Sequence, residues 1–136
     1  MSRICLDSNV LVAAFAARGL CADLLRLILS EHDLVIPEVV AEETRRVLRE
    51  KIRVDEEGMA SFEVVVNQCE SAPSTDAPSP IPVRDPDDER VLADALGAGC
   101  ELLVTGDDDL LSIASESPIP VLSPRGFMTL ARGGSR

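Results

Sequence analysis

Two short apolar runs, each stopping at an aspartate, constrain this chain more than any other feature. Arg3 to Leu6 ends at Asp7, and Glu101 to Thr105 is followed, past Gly106, by Asp107. Continuous apolar runs of this length suit strands covered on both faces, not strands with one wet face. Leu34 to Ile36 and Ile119 to Leu122 read the same way. Helical segments separate them. One runs from Asn9 to about Ala17, breaks near Gly19 and resumes through Ser30, with Leu20, Leu24, Leu25, Leu27 and Ile28 at helical spacing. Pro37 opens a helix to about Lys51, and Asp55 to Gln68 forms another. Asp85-Pro86 starts a helix to about Gly97; shorter ones span Asp108 to Ser115 and Pro124 to Arg132. Short buried strands alternating with helices predict an α/β/α sandwich, three layers around a short central parallel sheet.

The chain has 136 residues, enough for a single domain (1–136) with one core. Ser71 to Pro82, rich in Pro and Ser, is therefore a loop and not a linker between two cores. The longest uninterrupted apolar run, Val10 to Ala17, is too short to cross a bilayer, and the N-terminal residues lack a signal-type apolar region. No membrane association is expected. Cys5, Cys21, Cys69 and Cys100 form no Cys-x-x-Cys pair, and Cys5 and Cys100 sit in apolar stretches as buried thiols. A reduced, cytoplasmic protein is expected.

Composition excludes several chemistries. Phe15, Phe62 and Phe127 are the only aromatics, too few for a base-stacking platform. His32 is the single histidine, so no His-rich zinc site can form, and no Gly-x-Ser-x-Gly elbow is present to build a serine nucleophile. What remains is a surplus of acids, 24 against 13 bases, for a net charge of −11.

Some of those acids fall in telling places. Asp7 and Asp107 lie just past strand ends, and in an open parallel sheet such ends gather where ligands bind. Val40, Glu43 and Val47 are spaced i, i+3, i+7, which places Glu43 within an apolar stripe or at its edge with the head in water, while Glu42 faces away as an ordinary solvated acid. Asp88 heads a second stripe with Val91, Leu92 and Ala95. Asp85 reads as an N-cap before Pro86, Asp108 as solvated, and Asp109 as a fifth candidate beside Asp107 or a cap for the helix begun by Leu110. Clustered carboxylates are costly without a cation, and oxygen-only ligands select Mg²⁺ or Mn²⁺. The chemistry implied is metal-assisted phosphodiester hydrolysis.

Taken in order, Cys-Leu-Asp-Ser-Asn-Val-Leu-Val (5–12), Glu-Glu-Thr-Arg-Arg-Val-Leu (42–48), Arg-Asp-Pro-Asp-Asp-Glu-Arg-Val-Leu-Ala-Asp-Ala (84–95) and Leu-Val-Thr-Gly-Asp-Asp-Asp-Leu-Leu (103–111) resemble the PIN-domain nucleases. The closing Ile-Pro-Val-Leu-Ser-Pro-Arg-Gly-Phe (119–127) fits as well, so the resemblance spans about 3–131. It leans toward VapC-like toxin components of toxin–antitoxin systems. It implies a PIN-like fold and a Mg²⁺- or Mn²⁺-dependent endoribonuclease leaving 5′-phosphate and 3′-hydroxyl ends. The family's catalytic acids fall on Asp7, Glu43, Asp88 and Asp107, with Asp7, Asp88, Asp107 and Asp109 as the metal set and Asn9 and Thr105 in support. The resemblance also implies an RNA substrate, a cognate antitoxin and a homodimer.

Arg45, Arg46, Arg49, Lys51 and Arg53 hold five of the 13 bases in one stretch beyond Glu43. Arg45, Arg46 and Arg49 are candidates to guide an RNA backbone; a solvated helix end favoured by its dipole is the alternative. Two other acidic α/β classes share part of the pattern. A haloacid-dehalogenase-type phosphatase would need its second acid at Asn9 and its lysine at Lys51, and a receiver domain needs a late lysine, which is missing after Lys51. A non-catalytic PIN-like binding module would need none of the acids.

Overall fold

The computed structural model describes residues 2–133. Five parallel strands, β1 (Arg3–Leu6), β2 (Asp33–Pro37), β3 (Glu70–Ala72), β4 (Leu102–Val104) and β5 (Val121–Leu122), form one sheet in the order β3-β2-β1-β4-β5. The central strand β1 is paired on both sides, Ile4 facing Leu34 and Leu102, and Cys5 facing Val35 and Leu103. Ile4, Cys5, Leu6, Val35, Leu103 and Val104 are fully buried. That double coverage explains why their runs are continuous and not alternating.

Among the described residues, seven α-helices surround the sheet: α1 (Ser8–Ala16), α2 (Leu20–Glu31), α3 (Glu38–Arg46), α4 (Glu56–Gln68), α5 (Pro86–Gly97), α6 (Asp108–Leu111) and α7 (Pro124–Ala131). The chain steps from β1 outward to β2 and β3, then crosses back past β1 to β4 and β5. Right-handed crossovers put α1 to α4 on one face and α5 and α6 on the other, the three-layer sandwich read from the sequence. The contacts agree. α1 packs against α2, α3 and α4, α5 packs on β2 and β3, and α7 returns to α2. Phe15 and Phe62 meet edge to face, 5.4 Å between centroids, where α1 and α4 cross.

Three details depart from the sequence reading. The edge strand β3 was not anticipated, and the loop begins after Ala72 and not at Ser71. Glu-Ser-Ala carries no apolar signal because an edge strand needs few buried side chains; only Ala72 is buried. The Arg3 guanidinium pins it, donating to both Glu70 carboxylate oxygens at 2.7 and 2.5 Å and to the Ala98 carbonyl at 2.6 Å. The helix after Pro37 is α-helical only to Arg46. It continues as a wider π-turn over Val47–Ile52, which ends where Arg53 adopts a left-handed conformation (φ 60°) and the Val54 amide bonds the Leu48 carbonyl. The helix expected to run to Ser115 stops at Leu111, followed by a 3₁₀ turn over Ala114–Glu116.

Among the described residues, no helix is long and apolar enough to cross a membrane. All four cysteines are free.

Candidate metal centre

The strand order reverses between β1 and β4, and at this switch point the two C-terminal ends leave a crevice. Leu6 and Val104 are register partners, and the Asp7 amide donates to the Val104 carbonyl at 3.0 Å, so Asp7 and Thr105 emerge side by side. Asp7 is buried. Its carboxylate caps α1 by accepting from the Ser8 amide at 2.8 Å, and its Oδ2 accepts from the Thr105 hydroxyl at 2.8 Å and the Asn9 side-chain amide at 3.3 Å. Burial raises the Asp7 pKa, the Thr105 and Ser8 bonds pull it down, and the charges of Asp107 and Glu43 raise it again.

The remaining acids are delivered by different elements. Thr105 accepts from the Asp107 amide at 3.0 Å, and Asn9 Oδ1 accepts from the Gly106 amide at 2.9 Å, which fixes the turn after β4. Asp107 then caps α6, its Oδ1 accepting from the Asp109 and Leu110 amides at 2.8 and 3.3 Å. Of the two readings of Asp109, the cap is overturned: Asp107 is the cap, and Asp109 stands inside the first turn.

For Glu43 the structure selects the edge of the stripe over its interior. The stripe of its helix is Val40, Ala41, Thr44 and then Leu48, all buried, and Glu43 stands exposed at the stripe's edge. Its Oε2 accepts from the Ser8 hydroxyl at 2.8 Å, so it reaches the switch point laterally. Glu42 is exposed as expected, yet it lines a cleft beside Glu43.

Asp88 heads the buried face of α5, ahead of the buried Val91, Leu92 and Ala95, as its spacing predicts. Its Oδ2 is shut away from solvent without a hydrogen-bond partner. Burial first, then the hydrogen bond a protonated Asp88 can donate to Asp107, then the charges of Asp107, Asp7 and Asp85, push its pKa up to about 8. Two facing carboxylates have no donor between them unless one is protonated or a cation intervenes. The sequence reading missed Asp85 here. It caps α5 through Oδ1, which accepts from the Asp87 amide at 2.8 Å. Carboxylate oxygens of Asp85, Asp88 and Asp109 all lie within 4.8 Å of one another. Capping uses one oxygen of an Asp and leaves the other free, which is why reading Asp85 as a cap did not exclude it.

The donor set therefore fits a hard divalent cation: oxygen only, acidic, and holding an orphaned buried oxygen. Of the basic candidates, Arg45 is engaged elsewhere. Its Nε and Nη2 donate to Glu63 at 2.5 and 2.9 Å, and its guanidinium lies 5.8 Å above the Phe62 ring. Arg46 and Arg49 are exposed, and Arg46 lines the same cleft as Glu43. A second unforeseen acid, Asp94, is buried on α5 outside this centre. It accepts from the Thr75 amide at 3.0 Å, and Arg90 donates to the Ala77 carbonyl at 2.6 Å, so the two residues strap the Pro-rich loop to α5.

A sheet with its acids at this switch point defines a class, and the sequence comparison names it. The PIN domain model matches residues 3–109, and the chain belongs to the PIN-domain family. No curated protein matches it in sequence. Among solved structures, the fold is similar to VapBC2 from Rickettsia felis bound to a DNA fragment from its promoter. The TM-score is 0.63 at 13% identity, covering 89% of this chain and 98% of that one. It is also similar to a domain of a functionally unknown protein from Methanocaldococcus jannaschii DSM 2661. There the TM-score is 0.57 at 15% identity, covering 89% of each chain.

Proposed function

We infer that this PIN-domain protein is a divalent-metal-dependent endoribonuclease and the toxin of a toxin–antitoxin pair. The observation that carries the reading is the convergence of carboxylates from β1, α3, α5 and the turn after β4 on one switch point, with Asp88 Oδ2 buried and unpartnered among them. Asp7, Asp88, Asp107 and Asp109 would hold Mg²⁺ or Mn²⁺, with Glu43 beside them. Asp85 joins that set on the strength of its distance to Asp88 and Asp109.

A divalent ion held by these carboxylates would supply positive charge for a phosphate oxygen and lower the pKa of a water. The chain's own part is orientation. Thr105 and Asn9 fix the Asp7 carboxylate, Ser8 fixes Glu43, and the backbone amides of α6 fix Asp107. Asp7, Glu43 and Asp107 are thus oriented by hydrogen bonds already made in the fold, which reduces the reorganisation needed when substrate arrives. RNA as the substrate, an antitoxin partner, a homodimer and a cytoplasmic setting belong to this reading. The VapBC2 likeness and the family support it, and the four free cysteines accord with a reducing compartment.

The test is cleavage of varied RNAs by purified protein. Cutting should require Mn²⁺ or Mg²⁺, stop with EDTA and be lost in Asp7→Asn. Acyl-phosphate labelling of Asp7 in place of RNA cutting would overturn the nuclease reading in favour of a phosphatase or receiver.

A further inference from the structure

The cleft between α3 and α5 opens directly beside the carboxylates. It has a volume of ≈ 410 Å³ and an aliphatic floor of Val39, Val40 and Val91; Glu43 belongs to both cleft and centre. Two arginines line it. Arg90 is occupied, its Nη2 donating to the Ala77 carbonyl at 2.6 Å and its Nε lying 3.6 Å from Asp94. Arg46 is exposed and, among the described residues, has no acidic partner. Arg45, one residue earlier, is taken by Glu63. The helix thus turns one arginine into the fold and leaves the next one free at the mouth of the acidic centre.

We propose that this cleft seats the nucleotide flanking the scissile phosphate of single-stranded RNA, with Arg46 binding the backbone phosphate of that nucleotide. The inference rests on the nuclease reading and deepens it. A polyanion entering a cluster of carboxylates needs a cation at the approach, and Arg46 is the one that the cleft leaves unengaged. The floor carries no aromatic ring, so the base lies against valine side chains without stacking. Glu42 and Asp87 on the lining accept hydrogen bonds from ribose hydroxyls and base amino groups, which a DNA strand supplies less fully. Mixed charge around an aliphatic floor suits a single nucleotide. A continuous basic track would suit a long duplex.

Binding of a short fluorescent oligoribonucleotide of mixed sequence, measured in EDTA across a salt series, tests the cleft without relying on turnover. Arg46→Ala should weaken binding by about tenfold and reduce the slope of log K against log salt by about 0.7, the value for one single-strand phosphate contact. In cleavage with Mn²⁺ the same variant should raise KM more than it lowers kcat, and Arg46→Lys should recover part of the affinity. Arg18→Ala, exposed beyond the far end of α1, should leave binding and slope as in the parent. A parent that cuts RNA while Arg46→Ala keeps its affinity, slope and KM overturns the cleft and leaves the nuclease reading standing. A parent that neither binds nor cuts RNA overturns both.

Discussion

The Thr105 hydroxyl donates to Asp7 Oδ2 at 2.8 Å across a sequence separation of 98 residues, and both side chains are buried. The same hydroxyl oxygen accepts from the Asp107 amide at 3.0 Å. One small side chain thereby ties the acid after β1 to the acid after β4. Parallel pairing makes this possible: β1 and β4 end level with each other, so residues far apart in the sequence meet at hydrogen-bond distance.

Thr105→Val keeps the shape and removes both bonds. It should destabilise the metal-free protein by about 1–3 kcal/mol, the range for leaving a buried partner unsatisfied, as read from urea midpoints. Divalent-ion affinity should fall about 10–100-fold, as for other residues that orient a metal ligand. Thr105→Ser keeps the hydroxyl and should retain most of the affinity. Equal affinity in the valine and serine variants would refute the positioning role.

Asp88 makes the metal-free protein sensitive to pH in a defined direction. Its folded pKa, about 8, lies above its ordinary value, so the folded state keeps a proton that the unfolded chain gives up. The contribution of Asp88 to stability should be fully present below the ordinary carboxylate range and be lost as pH rises toward 8. Thermal unfolding in EDTA should show this decline, and Asp88→Asn should flatten it. A metal-free midpoint that rises between pH 5 and 8 by an amount Asp88→Asn leaves unchanged would contradict the assignment.

Arg45 and Glu63 join α3 to α4 by a forked ion pair, roughly a third exposed on each side. A double-mutant cycle with Arg45→Ala and Glu63→Ala should give a coupling of about 0.5–1 kcal/mol that shrinks at high salt. Because this arginine is held by the fold, Glu63→Ala should release it and increase the salt dependence of RNA binding. No coupling, with loss of RNA binding in Arg45→Ala alone, would make Arg45 a substrate contact instead.

The order of elements was legible because β1, β2 and β4 are buried on both faces and their apolar runs have no other simple reading. β3 was not, since Glu70 is held by an arginine 67 residues away and only Ala72 faces the core. The positions of Asp7 and Asp107 were legible as strand ends, and that of Asp88 as the head of a helical stripe. For Glu43 spacing left two places open, inside the stripe or at its edge; Thr44 fills the stripe, and Glu43 reaches from the edge to Ser8. Asp85 and Asp94 were invisible for a related reason. One is a cap whose carboxylate also lies within 4.8 Å of Asp88 and Asp109, and the other is buried by a loop that periodicity does not describe.

Calorimetric titration of Mn²⁺ into the metal-free protein tests the central claim, that these carboxylates form a divalent-metal centre. The parent should bind with release of protons at pH 7, because Asp88 is largely protonated there in the metal-free state. Asp107→Asn should weaken binding by at least about tenfold while leaving the protein folded, given that asparagine can still cap α6. An Asp107→Asn protein that binds Mn²⁺ as tightly as the parent, or a parent that binds none, would contradict the account.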